Sequence, residues 1–250
     1  MLIIRSLLVF IILVYAVSTS QAQEPNAARA ANVQKAIEAV FAETPISIRD
    51  RIEGDVNGDG QNDVVALVHL SQANAASEVR LLVLAGGAND SFMPLSVSGE
   101  FCSANKFYEI TTSSVQKSFE VKIVGSADAT HMDSFTLKFR HNAKLNDFEL
   151  IGWENLSTNY DEDAVYRESF NYLTKLVTVS RHLGKNYIKR HTTANGTERI
   201  TNFSRRSAKY KEVKVPFDAP KNATLQGFDC VQNAVNSPVY ISEDFKIQRR

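Results

Sequence analysis

The strongest chemical pattern in the chain is the run Asp55-Val56-Asn57-Gly58-Asp59-Gly60-Gln61-Asn62-Asp63. Oxygen-bearing side chains stand at its first, third, fifth and ninth places, and Gly60 at the sixth allows a sharp turn. Hard cations such as Ca²⁺ take six to eight oxygen ligands, and a short loop wraps one only when every second side chain points inward. Asp55, Asn57, Asp59 and Asp63 would supply side-chain oxygens and Gln61 a backbone carbonyl. The competing reading is a plain hairpin turn, which Asn-Gly-Asp-Gly also suits. Three aspartates within nine residues repel one another unless a cation joins them, and many flexible oxygens favour Ca²⁺ over Mg²⁺.

The twelfth place is Ala66, where an EF-hand has a bidentate glutamate, and the residues after Asp63 read as a strand. The segment instead resembles the calcium loops of FG-GAP and VCBS repeats, in which D-x-N-x-D-G-x-x-D joins two strands. Those repeats occur in series, whereas this chain has one copy, so the resemblance implies the loop and not a propeller. More broadly, the chain resembles a group of exported Gram-negative proteins of Bacteroidetes and proteobacteria. The likeness rests on an N-terminal helix, the single loop, paired strands such as Phe135–Phe139 and Phe148–Trp153, and the tail Ser242-Glu243-Asp244-Phe245. Where those proteins carry a Gly-Gly-Ser segment, this chain has Val124-Gly125-Ser126-Ala127. The resemblance implies an architecture and a compartment, and no reaction.

Other chemistry is sparse. The chain has no GxSxG nucleophile elbow, no HExxH zinc site and no glycine-rich phosphate loop between strand and helix. Its five histidines, His69, His131, His141, His182 and His191, are scattered. Acid and base carboxylates cannot be paired by spacing alone, which leaves hydrolysis open. Cys102 and Cys230 are the only cysteines and belong to no metal-binding spacing; in an oxidising compartment they are expected to form a disulfide. Lys plus Arg balance Asp plus Glu at 28 each, yet ten basic residues between Arg181 and Lys214 face only Glu198 and Glu212. Such a stretch either attracts an anion or consists of solvated strand faces guarding sheet edges. With no stacking platform or nucleic-acid motif beside it, no nucleic-acid partner is expected.

The N-terminus sets the compartment. Arg5 precedes an apolar run through Val17, too short for a comfortable membrane span, and Ser20-Gln21-Ala22 matches a signal-peptidase site. Residues 1–22 are therefore expected to be a cleaved signal peptide, with an uncleaved anchor as the competing reading. Nothing after Gln23 approaches the roughly 18 apolar residues of a second span. Residues 23–250 should form one β-rich domain in the periplasm or outside the cell, becoming irregular from about Pro216.

Apolar spacing predicts which elements position the loop. Val33, Ile37, Val40 and Phe41 gather on one face of a helix over Ala28–Glu43, ended by Thr44-Pro45. Beyond it the period becomes two, predicting a mainly β fold, a meander or sandwich of antiparallel strands. Strands are expected at Val64–Leu70, Val79–Leu84, around Phe119–Ile123 and Phe135–Phe139, and at Phe148–Trp153. Further strands follow at Tyr166–Leu173, Leu176–Arg181, Tyr187–His191 and Arg199–Phe203, with a closing segment at Tyr240–Ile247. The functional expectation is a non-enzymatic calcium-binding protein that recognises an envelope protein or glycan. A periplasmic hydrolase, or an immunity or inhibitor protein against a cell-wall hydrolase, is the alternative.

Overall fold

The computed structural model describes residues 27–42, 44–71, 78–101, 107–113, 117–126, 131–192, 198–219, 223–228, 237–242 and 244–249. The expected signal peptide and both cysteines, Cys102 and Cys230, lie outside the described residues. The protein is mainly antiparallel β with one helix at the N-terminal end of the described chain. No helix among the described residues is long and apolar enough to cross a membrane.

The helix α1 (Ala27–Val40) is followed by β1 (Ile46–Gly54), β2 (Asp63–Leu70), β3 (Glu78–Gly86) and β4 (Phe92–Val97), which form a four-stranded sheet in chain order. Strand β2 reads Asp-Val-Val-Ala-Leu-Val-His-Leu, without the alternation of a half-exposed strand, because both its faces are covered. Val64, Ala66, Val68 and Leu70 pack with Leu82 and Leu84 against Val33 and Ile37 of α1. Val65 and Leu67 point the other way, with Val79, Leu81 and Val83, into the main core.

That core is closed by a second sheet. Strands β5 (Phe107–Ser113), β6 (Ser118–Ser126), β7 (His131–Asn142), β8 (Asp147–Asn159), β9 (Ala164–Asn171) and β10 (Leu176–Leu183) run as a meander. The hairpin of β11 (Asn186–Thr192) and β12 (Glu198–Ser204) leaves the sheet, and β13 (Lys209–Pro216) returns to pair with β10 at its edge. A last short hairpin joins β14 (Val239–Ile241) to β15 (Ile247–Arg249). Facing pairs such as Phe119 with Phe139 and Val121 with Leu137 place the alternating apolar residues on the inner face.

The C-terminal segment is irregular in backbone and central in packing. Strand β9 stops opposite Gly152, which leaves the first half of β8 without a neighbour on that side. Residues 223–225 fill the gap: the Leu150 amide donates to the Ala223 carbonyl at 2.8 Å, and the Leu225 amide to the Phe148 carbonyl at 2.7 Å. Phe228 then enters the core, with ring centroids 5.2 Å from Phe101, 5.5 Å from Phe139 and 6.3 Å from Trp153.

Besides β1, three strands were not expected from the sequence. Strand β4 carries Pro94 and β13 reads Lys-Tyr-Lys-Glu-Val-Lys-Val-Pro, both weak strand sequences that sheet edges tolerate. The third, β5, lies beside β1, where the Ile110 amide donates to the Asp50 carboxylate at 2.8 Å. The helix ends at Val40, earlier than Glu43, with a turn in which the Phe41 amide donates to the Glu38 carbonyl.

Asp147 joins three parts of the molecule. It is buried and accepts hydrogen bonds from the Ser96 hydroxyl at 2.5 Å, the Phe148 amide at 2.7 Å and the Gln226 amide at 3.2 Å. Replacing it with alanine strands all three donors in the core. Asp147→Ala is expected to lower unfolding free energy in urea by about 3 kcal/mol, whereas Lys144→Ala in the adjacent exposed turn changes it by less than about 0.5 kcal/mol.

Candidate metal loop

The acidic loop spans the connection from β1 to β2, and its conformation follows from carboxylates capping backbone amides. The Asp55 carboxylate accepts from the Gly58 amide at 2.5 Å and the Gly60 amide at 3.1 Å. Asn57 Oδ1 accepts from the Asp59 amide and Asp59 Oδ1 from the Gln61 amide, each at 2.8 Å. These are successive Asx turns, the local bonds that aspartate and asparagine make most readily. Gly58 and Gly60 both have φ of +86°, a region that disfavours side chains with a Cβ.

Asp63 differs from the other three because it is fully buried. Its Oδ2 accepts the Val56 and Asn57 amides at 2.9 and 3.0 Å, and its Oδ1 accepts the Gly86 amide of β3 at 3.0 Å. The side chain therefore holds the loop closed and ties it to the end of the next hairpin. Burial pushes its carboxyl above the ordinary aspartate value, against the opposing pull of the three amides.

The loop is also gripped from outside. Arg29 of α1 donates to the Asn62 carbonyl at 3.1 Å and to Glu53 at 2.8 Å, and it also pairs with Asp90. From the second sheet, Lys117 Nζ reaches the Gly58 carbonyl at 3.2 Å, and His141 Nδ1 lies 3.1 Å from the Asn57 carbonyl. With its proton on Nδ1, His141 leaves a buried Nε2 without a partner.

Five residues were expected to form the cation site, and they occupy one short loop in two roles. Asp59 Oδ2 and Asp63 Oδ1 converge on a single donor, the Asn57 Nδ2, at 3.0 and 3.3 Å. That point holds an N–H donor between two carboxylates. Turning the Asn57 amide would place its oxygen there beside them. Asp55 keeps a lone pair on each carboxylate oxygen beyond the amides it accepts. Gln61 is exposed, with its amide on Asp59. Among the described residues, no group of three or more histidine, cysteine, aspartate or glutamate side chains is gathered as a ready metal cage. The side-chain chemistry nevertheless fits a hard cation, because every side chain in the loop that could ligate a metal would do so through oxygen.

Among the described residues, four of the ten basic residues of the stretch make internal contacts. Arg181 donates to the Ile241 carbonyl at 3.2 Å and Lys211 to the Phe245 carbonyl at 2.5 Å, while Lys209 lies 5.6 Å from the Phe245 ring centroid. Arg205 donates to the Glu162 and Gly184 carbonyls. These cations fasten the closing hairpin and the β8–β9 turn to the main sheet. Sequence reading missed that role, because the partners are backbone carbonyls with no signature of their own. No family model, curated protein or solved structure matches this chain.

The two roles within the loop separate by mutation. Without calcium, Asp63→Ala removes the acceptor of three amides and is expected to cost about 3 kcal/mol in chemical denaturation. Asp59→Ala, at an exposed position accepting one backbone amide, should cost less than about 1 kcal/mol. Equal costs would remove the distinction between a buried clasp and an exposed ligand.

Proposed function

We propose that this chain is an exported, non-enzymatic β-rich protein of the Gram-negative envelope, in which calcium rigidifies the 55–63 loop and an exposed surface binds an envelope component. The observation that carries the calcium part is the convergence of Asp59 and Asp63 oxygens on the Asn57 amide, in a loop with the spacing of FG-GAP and VCBS repeats. A divalent cation there replaces one weak donor with two positive charges against the loop's three carboxylates. Lys117 and Arg29 at the loop's edges already offset part of its negative charge, and Ala66 stands where an EF-hand has its bidentate glutamate. Both features favour affinity of roughly 10⁻⁴ to 10⁻³ M, the range of extracellular modules.

Binding is favoured over hydrolysis by how the carboxylates are engaged. Asp50, Asp63 and Asp147 accept backbone amides, and Glu168 accepts from the Tyr166 hydroxyl and Asn155 amide. On the outer face of the second sheet, a groove of 370 Å³ contains Glu120 and Glu154, but Lys138 and Arg167 pair with them. Such pairing occupies the carboxylate oxygens, unlike a general acid or base left open to a substrate.

Calcium should raise stability by mass action, by about 2.7 kcal/mol at a hundredfold excess over the dissociation constant. Asp59→Ala is expected to abolish that shift while the protein still folds. Identical melting temperatures for wild type in millimolar calcium and in chelator would reduce the loop to a turn. Export has its own test: intact mass of protein from the envelope fraction should begin at Gln23, with Cys102 and Cys230 oxidised. Retained residues 1–22 would restore the anchor reading, and two labelled thiols in denatured, unreduced protein would remove the disulfide.

A further inference from the structure

A second recess lies where the β8–β9 turn meets the β11–β12 hairpin. Its volume is 520 Å³, within the roughly 300–1,000 Å³ of small-ligand sites. Tyr160 and Asp163 come from the turn, Asn186 and Tyr187 from β11, and Asn202 and Ser204 from β12. Strand β8 is 13 residues long, so at about 3.3 Å per residue the recess lies about 40 Å from the strand end nearest the acidic loop.

The walls are fixed by backbone bonds. The Gly184 amide donates to the Asp163 carbonyl at 2.7 Å, the Glu162 amide to Asn159 Oδ1 at 3.0 Å, and Ile188 to the Asp161 carbonyl at the base of the hairpin. A Cβ at Gly184 would lie 1.5 Å from an Asp163 carboxylate oxygen, so the carboxylate rests directly over that glycine. The Tyr160 ring is 53% exposed, with its hydroxyl on Met132 Sδ. Preorganised walls of this kind spare a ligand the entropic cost of ordering them.

The lining chemistry selects among ligand classes. Asp163 repels an anion. A cation is disfavoured because the Arg205 guanidinium already lies 4.2 Å from the Tyr187 ring centroid, anchored on the Glu162 and Gly184 carbonyls. A purely apolar ligand would strip water from Asp163 and Asn202 without replacing their hydrogen bonds, while the Ser204 hydroxyl already donates to Asn186 Oδ1 at 3.0 Å. What remains is a neutral ligand with many hydroxyl donors and acceptors and an apolar C–H face for an aromatic ring.

We infer that this recess binds a neutral oligosaccharide, with a sugar ring on Tyr160 and its hydroxyls bonded to Asp163, Asn186 and Asn202. The inference deepens the binding part of the proposed function by naming a glycan as the envelope component, and it is independent of calcium. The test is titration of the mature protein with chitotriose, maltotriose and cellotriose, followed by the amide and tyrosine resonances, with choline and acetate as charged controls. Saturable shifts centred on residues 160–163, 186–188 and 202–204 are expected with at least one trisaccharide. Tyr160→Ala should weaken that affinity at least tenfold and Asp163→Asn at least fivefold, both with unchanged circular dichroism, while Leu145→Ala at the far end of β8 leaves it unchanged. No saturable binding to any of the three, binding that survives Tyr160→Ala, or shifts produced by choline or acetate instead would overturn the inference. A calcium-induced rise in melting temperature on the same sample, measured without sugar, separates that failure from failure of the calcium reading.

Discussion

A carboxylate taken out of water must be met by donors, and at Asp63 this requirement organises the region around it. Its oxygens accept amides from Val56, Asn57 and Gly86, so one side chain closes the loop and fastens it to the end of β3. Asp63 is also the first residue of β2, the strand that packs the helix on one face and the second sheet on the other. Burial of β2 therefore fixes where the carboxylate stands, and the carboxylate fixes the loop. Removing the donors would leave the charge in a medium where it costs several kcal/mol.

The same device recurs between layers. Asp50 takes an amide from β5, and Asp147 takes the Ser96 hydroxyl of β4 and the Gln226 amide of the C-terminal segment. Apolar burial between the sheets supplies most of the stabilisation but has no direction. Each carboxylate adds direction, because its hydrogen bonds are satisfied in only one alignment of the sheets. The basic residues of β10 and β13 play the complementary part by capping carbonyls of the closing hairpin.

Much of this was legible in the sequence, and what was hidden was hidden for physical reasons. The two-faced β2, the alternating β6 and β7 and the loop itself follow from residue spacing, which depends on local geometry alone. Strand β13 was not legible, because Lys209 to Pro216 becomes a strand through pairing with β10 rather than through its own preference. Spacing marked Asp63 as one of several equivalent ligands, and only the fold distinguishes its buried place from the exposed one of Asp59. The recess beside the β8–β9 turn had no sequence signal, since Tyr160, Asn186 and Asn202 are brought together by the hairpin folding against a distant turn.

In the proposed role, calcium would complete a loop already closed by its own amides, with Asp63 as the fixed wall and Asp55, Asn57 and Asp59 as the adjustable one. Amide hydrogen exchange reads that division directly. In millimolar calcium the amides of Gly58, Asp59, Gly60 and Gln61 should exchange markedly more slowly than in chelator, while those of β6 and β7, protected by the sheet, keep their rates. Equal exchange across residues 58–61 in both conditions would contradict the claim that calcium rigidifies the loop.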